Sequence, residues 1–313
     1  MIRRPTATNR AVPLLAMATA ALLLGACQGT RAEQPPGWRT DGPPGWQVGN
    51  PVRETASAPP GAAGAAQSRA DALAARLGLT GRALPGRRER DVRNERLVDE
   101  VTLANAAGER TAQLTFDAAT GAPLVVARLD RPQGSDTSRL DARSAPRAAR
   151  GFLQAAGLNV PAGDPQTRWD PGLGTWKVGW ERTIDGIPAP GDGMFVDVLP
   201  GGQFAALAVV ETPAATRPPA PISPDRAQEA AMAWATAHGL PSFPRFAVRA
   251  PFLEWRQAND FVDPAKPDSP EPLLRLVYSV SFSYLPQGEE SPHLLVLYVD
   301  AGNGTLIGGA ETA

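Results

Sequence analysis

Few residues in this chain could do chemistry near neutral pH. Its 313 residues include two histidines, His238 and His293, two lysines, Lys177 and Lys266, and one cysteine, Cys27. Lys plus Arg is 31 against 32 Asp plus Glu, a balance that lacks the basic surface nucleic-acid binding needs. One cysteine excludes an intrachain disulfide and a thiolate metal cluster. The patterns HExxH, GxSxG and GxxxxGK[ST] are absent, so the sequence signals neither a zinc peptidase, a serine nucleophile elbow nor a phosphate loop. His238 falls at the expected end of a helix, where a cation meets the negative end of the dipole. His293 follows Pro292 at a strand start and reads as a surface polar residue. Their spacing is not that of zinc ligands. Carboxylate chemistry stays open, because a glycan hydrolase needs only two acids across a cleft. The densest acids are Glu254, Asp260, Asp263, Asp268 and Glu271. They follow no recurring calcium loop and read as a solvated insertion. Trp169, Trp176, Trp180, Trp234 and Trp255 could stack on a glycan or peptide. Trp176 and Trp180 alternate along a strand, however, and so read as core. No catalytic residue, metal or cofactor is assigned.

The remaining reactive residue is Cys27. Arg3, Arg4 and Arg10 precede an apolar run from Ala11 to Leu24, too short to span a bilayer comfortably. The run ends Leu24-Gly25-Ala26-Cys27, which resembles the lipobox of bacterial lipoproteins. That resemblance implies removal of a signal peptide, residues 1–26, and lipid on Cys27, anchoring the chain to the cell membrane on its extracytoplasmic side. Residues 27–66 read as a flexible tether, with seven Pro and six Gly between Arg31 and Ala66. Pro35-Pro36-Gly37-Trp38 recurs as Pro43-Pro44-Gly45-Trp46 and reads as low-complexity linker.

The elements that must position everything else recur three times. Helices are expected over Gln67–Leu79, Ser144–Leu158 and Ser223–Leu240, each ending in Gly-Leu, a left-handed stop after which the Leu folds back. Period-two strands follow, among them Ala112–Phe116, Trp176–Ile184 and Leu274–Tyr284. Each unit closes with an Asp four residues before a Gly: Asp117 to Gly121, Asp197 to Gly201 and Asp300 to Gly304. The Asp should cap the turn and the Gly take positive φ. The pattern predicts an α+β fold of tandem small units, each a helix packed on its own antiparallel sheet. The units span 67–130, 141–212 and 222–313, the last with an acidic insertion at 259–272, and Pro213–Pro221 serves as a linker.

Two stretches carry a family resemblance. "WKVGWERTIDGIPAPGDGMFVDVLPGGQFAAL", from Trp176 to Leu207, has an aromatic strand, an Asp-Gly-Ile-Pro turn, a second Gly-rich turn and the Val-Asp…Gly closure. "SPDRAQEAAMAWA" leads on to "LLRLVYSVSF" and "LYVDAGNGTLIGG". Together these resemble PepSY-type domains and the tandem repeats of YcdB/YcdC-like bacterial envelope proteins, well over 141–313 and weakly over 67–130. The resemblance implies a non-catalytic module that binds or restrains a protein or peptide partner, such as a secreted peptidase. The expected contact is an exposed strand edge at Leu274–Tyr284 together with the loop Asn259–Glu271. The competing expectation is an envelope glycan-binding protein or a carboxylate-based hydrolase.

Overall fold

The computed structural model describes residues 53–56, 61–91, 96–130, 140–238, 247–248, 250–262, 273–284 and 293–312. The proposed signal peptide, Cys27 and most of the tether lie outside these residues, as do Asp263, Asp268 and Glu271. Strands β1 (Arg53–Thr55), β2 (Arg82–Ala83), β3 (Arg87–Asp91), β4 (Arg96–Ala104), β5 (Arg110–Asp117) and β6 (Pro123–Arg128) surround or follow helix α1 (Ala62–Leu77). Helix α2 (Ala145–Ala155) leads into β7 (Gln166–Asp170), β8 (Thr175–Ile184), β9 (Ile187–Val198) and β10 (Phe204–Val210). Helix α3 (Pro224–Ala237) precedes β11 (Ala247–Val248), β12 (Phe252–Gln257), a 3-10 turn (Asp260–Val262), β13 (Leu274–Tyr284), β14 (His293–Asp300) and β15 (Leu306–Thr312).

These elements overturn the expected fold class. The chain is mostly antiparallel β, in one ten-stranded and one five-stranded sheet, with three helices among the described residues. The first two segments do not each carry a sheet. Their last strands, β6 and β10, pair with each other, Leu207 opposite Val126, and so join both sets of strands into one sheet. Helices α1 and α2 lie on the same face of it, and Leu73, Leu114, Leu153, Val196 and Phe204 share one core. The physical reason is that a strand edge left open by one hairpin satisfies its backbone groups best against the next.

Local signals hold well inside this altered frame. Gly78 ends α1 at φ 64°, and the Leu79 amide donates to the Ala74 carbonyl at 2.9 Å. Gly157 (φ 77°) and Leu158, whose amide reaches the Leu153 carbonyl at 2.9 Å, repeat the stop after α2. Ser223 caps α3 by accepting from the Arg226 amide at 3.2 Å. Ala227 and Ala231 on that helix bury fully on the second sheet, beside Leu276, Val280 and Leu297.

One hairpin bridges the two sheets. Asp185 (φ 52°) and Gly186 (φ 75°) are both left-handed, a type I′ turn matched to strand twist. The tip places Ile184, Ile187 and Ala189 in the second core, and the Trp255 indole donates to the Ile184 carbonyl at 3.2 Å. The expected second Gly-rich turn is instead a bulge within β9, where pairing jumps from Glu181–Gly193 to Arg182–Ala189. A Cβ on Gly193 would sit 2.1 Å from the Trp180 carbonyl oxygen, so only glycine fits. Beyond β10, the Pro-rich stretch is tied down as well. Leu274 donates to the Pro213 carbonyl and Ala215 to the Leu274 carbonyl, both at 2.8 Å.

Candidate functional site

Period-two strands give the large sheet a second face, opposite the helices, and the polar residues collect there. Lys177 lies on this face directly across from Asp197. Its Nζ is 3.4 Å from Asp197 Oδ2 and 3.7 Å from Asp170 Oδ2, with Lys177 only 3% exposed. Burial pushes the Asp197 carboxyl above its ordinary value, and Lys177 works against that push.

This pairing changes the middle hairpin. Asp117 and Asp300 cap their turns as expected. Asp117 Oδ1 accepts from the Ala119 and Thr120 amides at 2.9 and 2.7 Å, and Asp300 Oδ1 from Gly302 and Asn303 at 2.8 and 3.2 Å. Asp197 is drawn to Lys177 instead, and its turn closes through the Leu199 amide on the Gln203 carbonyl. A further turn of the same kind forms at Asp170, whose Oδ1 accepts from Gly172 and Leu173 at 2.9 and 3.1 Å. The Asp170…Gly174 spacing carries the signal for it.

A second ionic cluster forms where the sheets meet. Glu254 Oε1 accepts from Arg256 Nε at 2.7 Å and from the Ser279 hydroxyl. The Arg256 guanidinium lies 5.2 Å from the centre of the Tyr298 ring. Glu181 faces the same arginine from the large sheet and accepts from Gln166 at 3.0 Å. Burial raises the Glu181 carboxyl, Arg256 opposes that rise, and Glu254 adds to it. Glu181, Ser279 and Tyr298 stand far in sequence from Glu254 and Arg256, and no local pattern marks them as their partners.

The histidines, tryptophans and acids singled out by type and spacing fare unevenly once placed. His238 Nδ1 lies 2.9 Å from the Trp234 carbonyl at the end of α3, with its ring stacked on that indole at 4.0 Å. His293 is no surface residue. Its side chain is 13% exposed, and Nδ1 lies 2.9 Å from Glu311 Oε1, which also accepts from the Tyr284 hydroxyl. Trp180 and Trp255 are buried, Trp176 is half-buried with its indole donating to the Leu140 carbonyl at 2.8 Å, and Trp169 is 41% exposed on β7. Glu254 belongs to the junction cluster and not to a solvated loop.

The expected docking edge does not exist at Leu274–Tyr284. Strand β13 is central, paired with β12 and β11 on one side and β14 on the other. The outer strand is β15, and Asn259 occupies its edge. The Asn259 amide donates to the Ile307 carbonyl at 2.9 Å, while its side chain both donates to the Gly309 carbonyl and accepts from the Gly309 amide, each at 2.9 Å.

A concavity of about 300 Å³ opens on the large sheet, lined by Leu84, Pro85, Arg87, Glu100, Thr102, Arg110, Gln113 and Leu129. Its single carboxylate, Glu100, is held by Arg87 at 2.8 Å. Leu84 and Leu129, 45% and 43% exposed, give it an apolar wall beside these charged groups. Nothing in the sequence marks this place, because the lining comes from three neighbouring strands, β3, β4 and β5, and two connecting segments.

No family model matches the chain, and no curated protein matches it. Among solved structures, the C-terminal domain of YpeB from Bacillus megaterium is similar at 11% identity and a TM-score of 0.42, over 79% of this chain and 96% of that one.

Proposed function

We propose that this chain is a membrane-tethered, extracytoplasmic lipoprotein acting as a non-catalytic binding or regulatory module, which holds a protein or peptide partner near the bilayer. One observation carries the reading. Among the described residues, the four most deeply buried carboxylates each hold a cation of the fold: Asp99 holds Arg69 and Arg88, Asp197 holds Lys177, Asp192 holds Arg182, and Glu254 holds Arg256. The cation at each of them opposes protonation, and each carboxylate is occupied in holding one element to another. The concavity offers apolar walls and polar floor groups, a composition suited to binding.

The lipobox-like Leu24-Gly25-Ala26-Cys27 supports the address, and the Pro- and Gly-rich tether suits a module that searches near a membrane. The PepSY-type resemblance adds the idea of restraining a secreted peptidase. Crosslinking in intact cells, with identification of the captured protein, tests the binding function. Fractionation of a Cys27→Ser variant tests the anchor and should move the protein out of the membrane fraction. If the purified chain turned over a peptide or glycan, and one carboxylate substitution abolished turnover without unfolding it, the binding reading would fail.

A further inference from the structure

The concavity on the large sheet has groups that the fold does not use. Among the described residues, the side chains of Thr102, Arg110 and Gln113 make no hydrogen bond or ion pair. We propose that this concavity seats an extended peptide segment of the partner, one that presents a carboxylate beside an apolar side chain. The proposal rests on the binding-module reading above and gives that reading its site and ligand class.

The geometry sets the length. Arg87 stands opposite Glu100 at one end, and Arg110 stands opposite Ala104 at the other. Those positions lie four steps apart along β4, roughly 13 Å, which matches about four residues of extended chain. The charge sets the polarity. Arg87 is offset at its end by Glu89 at 2.9 Å and Glu100 at 2.8 Å, whereas Arg110 meets no anion among the described residues. A free guanidinium takes a carboxylate through two parallel hydrogen bonds. Between the ends, Thr102 lies directly across from Gln113. Hydroxyl and carboxamide can each donate and accept, as a passing peptide group requires. Leu84, Pro85 and Leu129 supply the apolar wall. A volume of about 300 Å³ is at the lower limit for ligand sites, enough for a short segment.

The test uses the purified full-length chain and three synthetic probes: acetyl-Gly-Leu-Glu-Leu-Gly-amide, the same peptide with Gln for Glu, and N-acetyl-leucine. Binding is read by chemical-shift changes in amide and side-chain resonances. The Glu peptide should shift the Gln113 side-chain amide and the Arg110 Nε resonance, and bind at least fivefold more tightly than the Gln peptide. Arg110→Glu should weaken it tenfold or more, with thermal unfolding unchanged. Equal binding of the Glu and Gln peptides, indifference to Arg110→Glu, or no binding at millimolar peptide would each overturn the proposal. N-acetyl-leucine binding as tightly as the Glu peptide would overturn the assignment to a peptide. Partner capture in cells that survives Arg110→Glu would sink this site while leaving the binding-module reading intact.

Discussion

At the scale of single residues, burial and charge pull in opposite directions, and the winner differs between sites. Burial is the largest influence on Asp117 and opposes its charge. The Thr120 and Ala119 amides, the Thr120 hydroxyl and Arg96 together outweigh it and hold the carboxyl below its ordinary value of 3.8. Asp117 therefore stabilises the fold above that value, and the contribution is lost as pH falls below it. Asp117→Ala should cost about 2 kcal/mol, since it removes several hydrogen bonds to one charged acceptor. Urea unfolding at pH 7 and pH 3 should show the cost shrinking at the lower pH. Glu181 has the opposite sign. Its carboxyl is raised above 4.5, first by burial, so ionised Glu181 weakens the fold, and that penalty is relieved as pH falls through its raised value towards 4.5. Glu181→Gln should leave stability unchanged or higher at pH 7 and flatten its pH dependence just above 4.5. A variant clearly less stable at pH 7 would show that Arg256 needs the charge.

At the scale of elements, edges and bulges carry the argument. Asn259 satisfies both backbone groups of Gly309 and so closes the outer edge of the second sheet. The neighbouring glycines make room for it. A Cβ on Gly308 would lie 2.5 Å from Asn259 Oδ1, and one on Gly309 2.6 Å from Phe261 Cδ1. Asn259→Ala should therefore cost about 2 kcal/mol and expose the edge, with sedimentation revealing self-association at high concentration. Gly193→Ala should cost more, at least about 3 kcal/mol, because the obstacle is the Trp180 carbonyl in the adjoining strand and not a flexible side chain. Denaturant midpoints would measure both. A wild-type midpoint for Gly193→Ala would mean that the bulge rearranges freely.

At the scale of the whole molecule, the shared ten-stranded sheet sets cooperativity. Because α1 and α2 cover one core, the strands before and after α2 should open together. Hydrogen exchange should give the Leu114 and Val196 amides the same opening free energy, although 82 positions separate them in the numbering. Separate opening of these two sites would mean that the β6–β10 seam is weak. The bridging hairpin couples this body to the second sheet by placing Ile184 and Ile187 in its core.

Local structure is the part of this protein that its sequence determines by itself. The Gly-Leu stops after α1 and α2, the Ser223 cap, two of the three Asp turns and the strands Trp176–Ile184 and Leu274–Tyr284 all follow from neighbours a few residues apart, where dihedral preference and local hydrogen bonds decide; the third expected stop, Gly239-Leu240, lies outside the described residues. Which edge pairs with which is not legible in the same way. The β6–β10 seam, the central place of β13 and the plugging of β15 by Asn259 depend on backbone groups that are chemically alike in every strand. Tertiary contact alone chooses among them. The same holds for the ionic clusters and the concavity. Lys177 meets Asp197, Glu181 meets Arg256, and Arg110 is left without an anion among the described residues only once strands distant in sequence lie side by side.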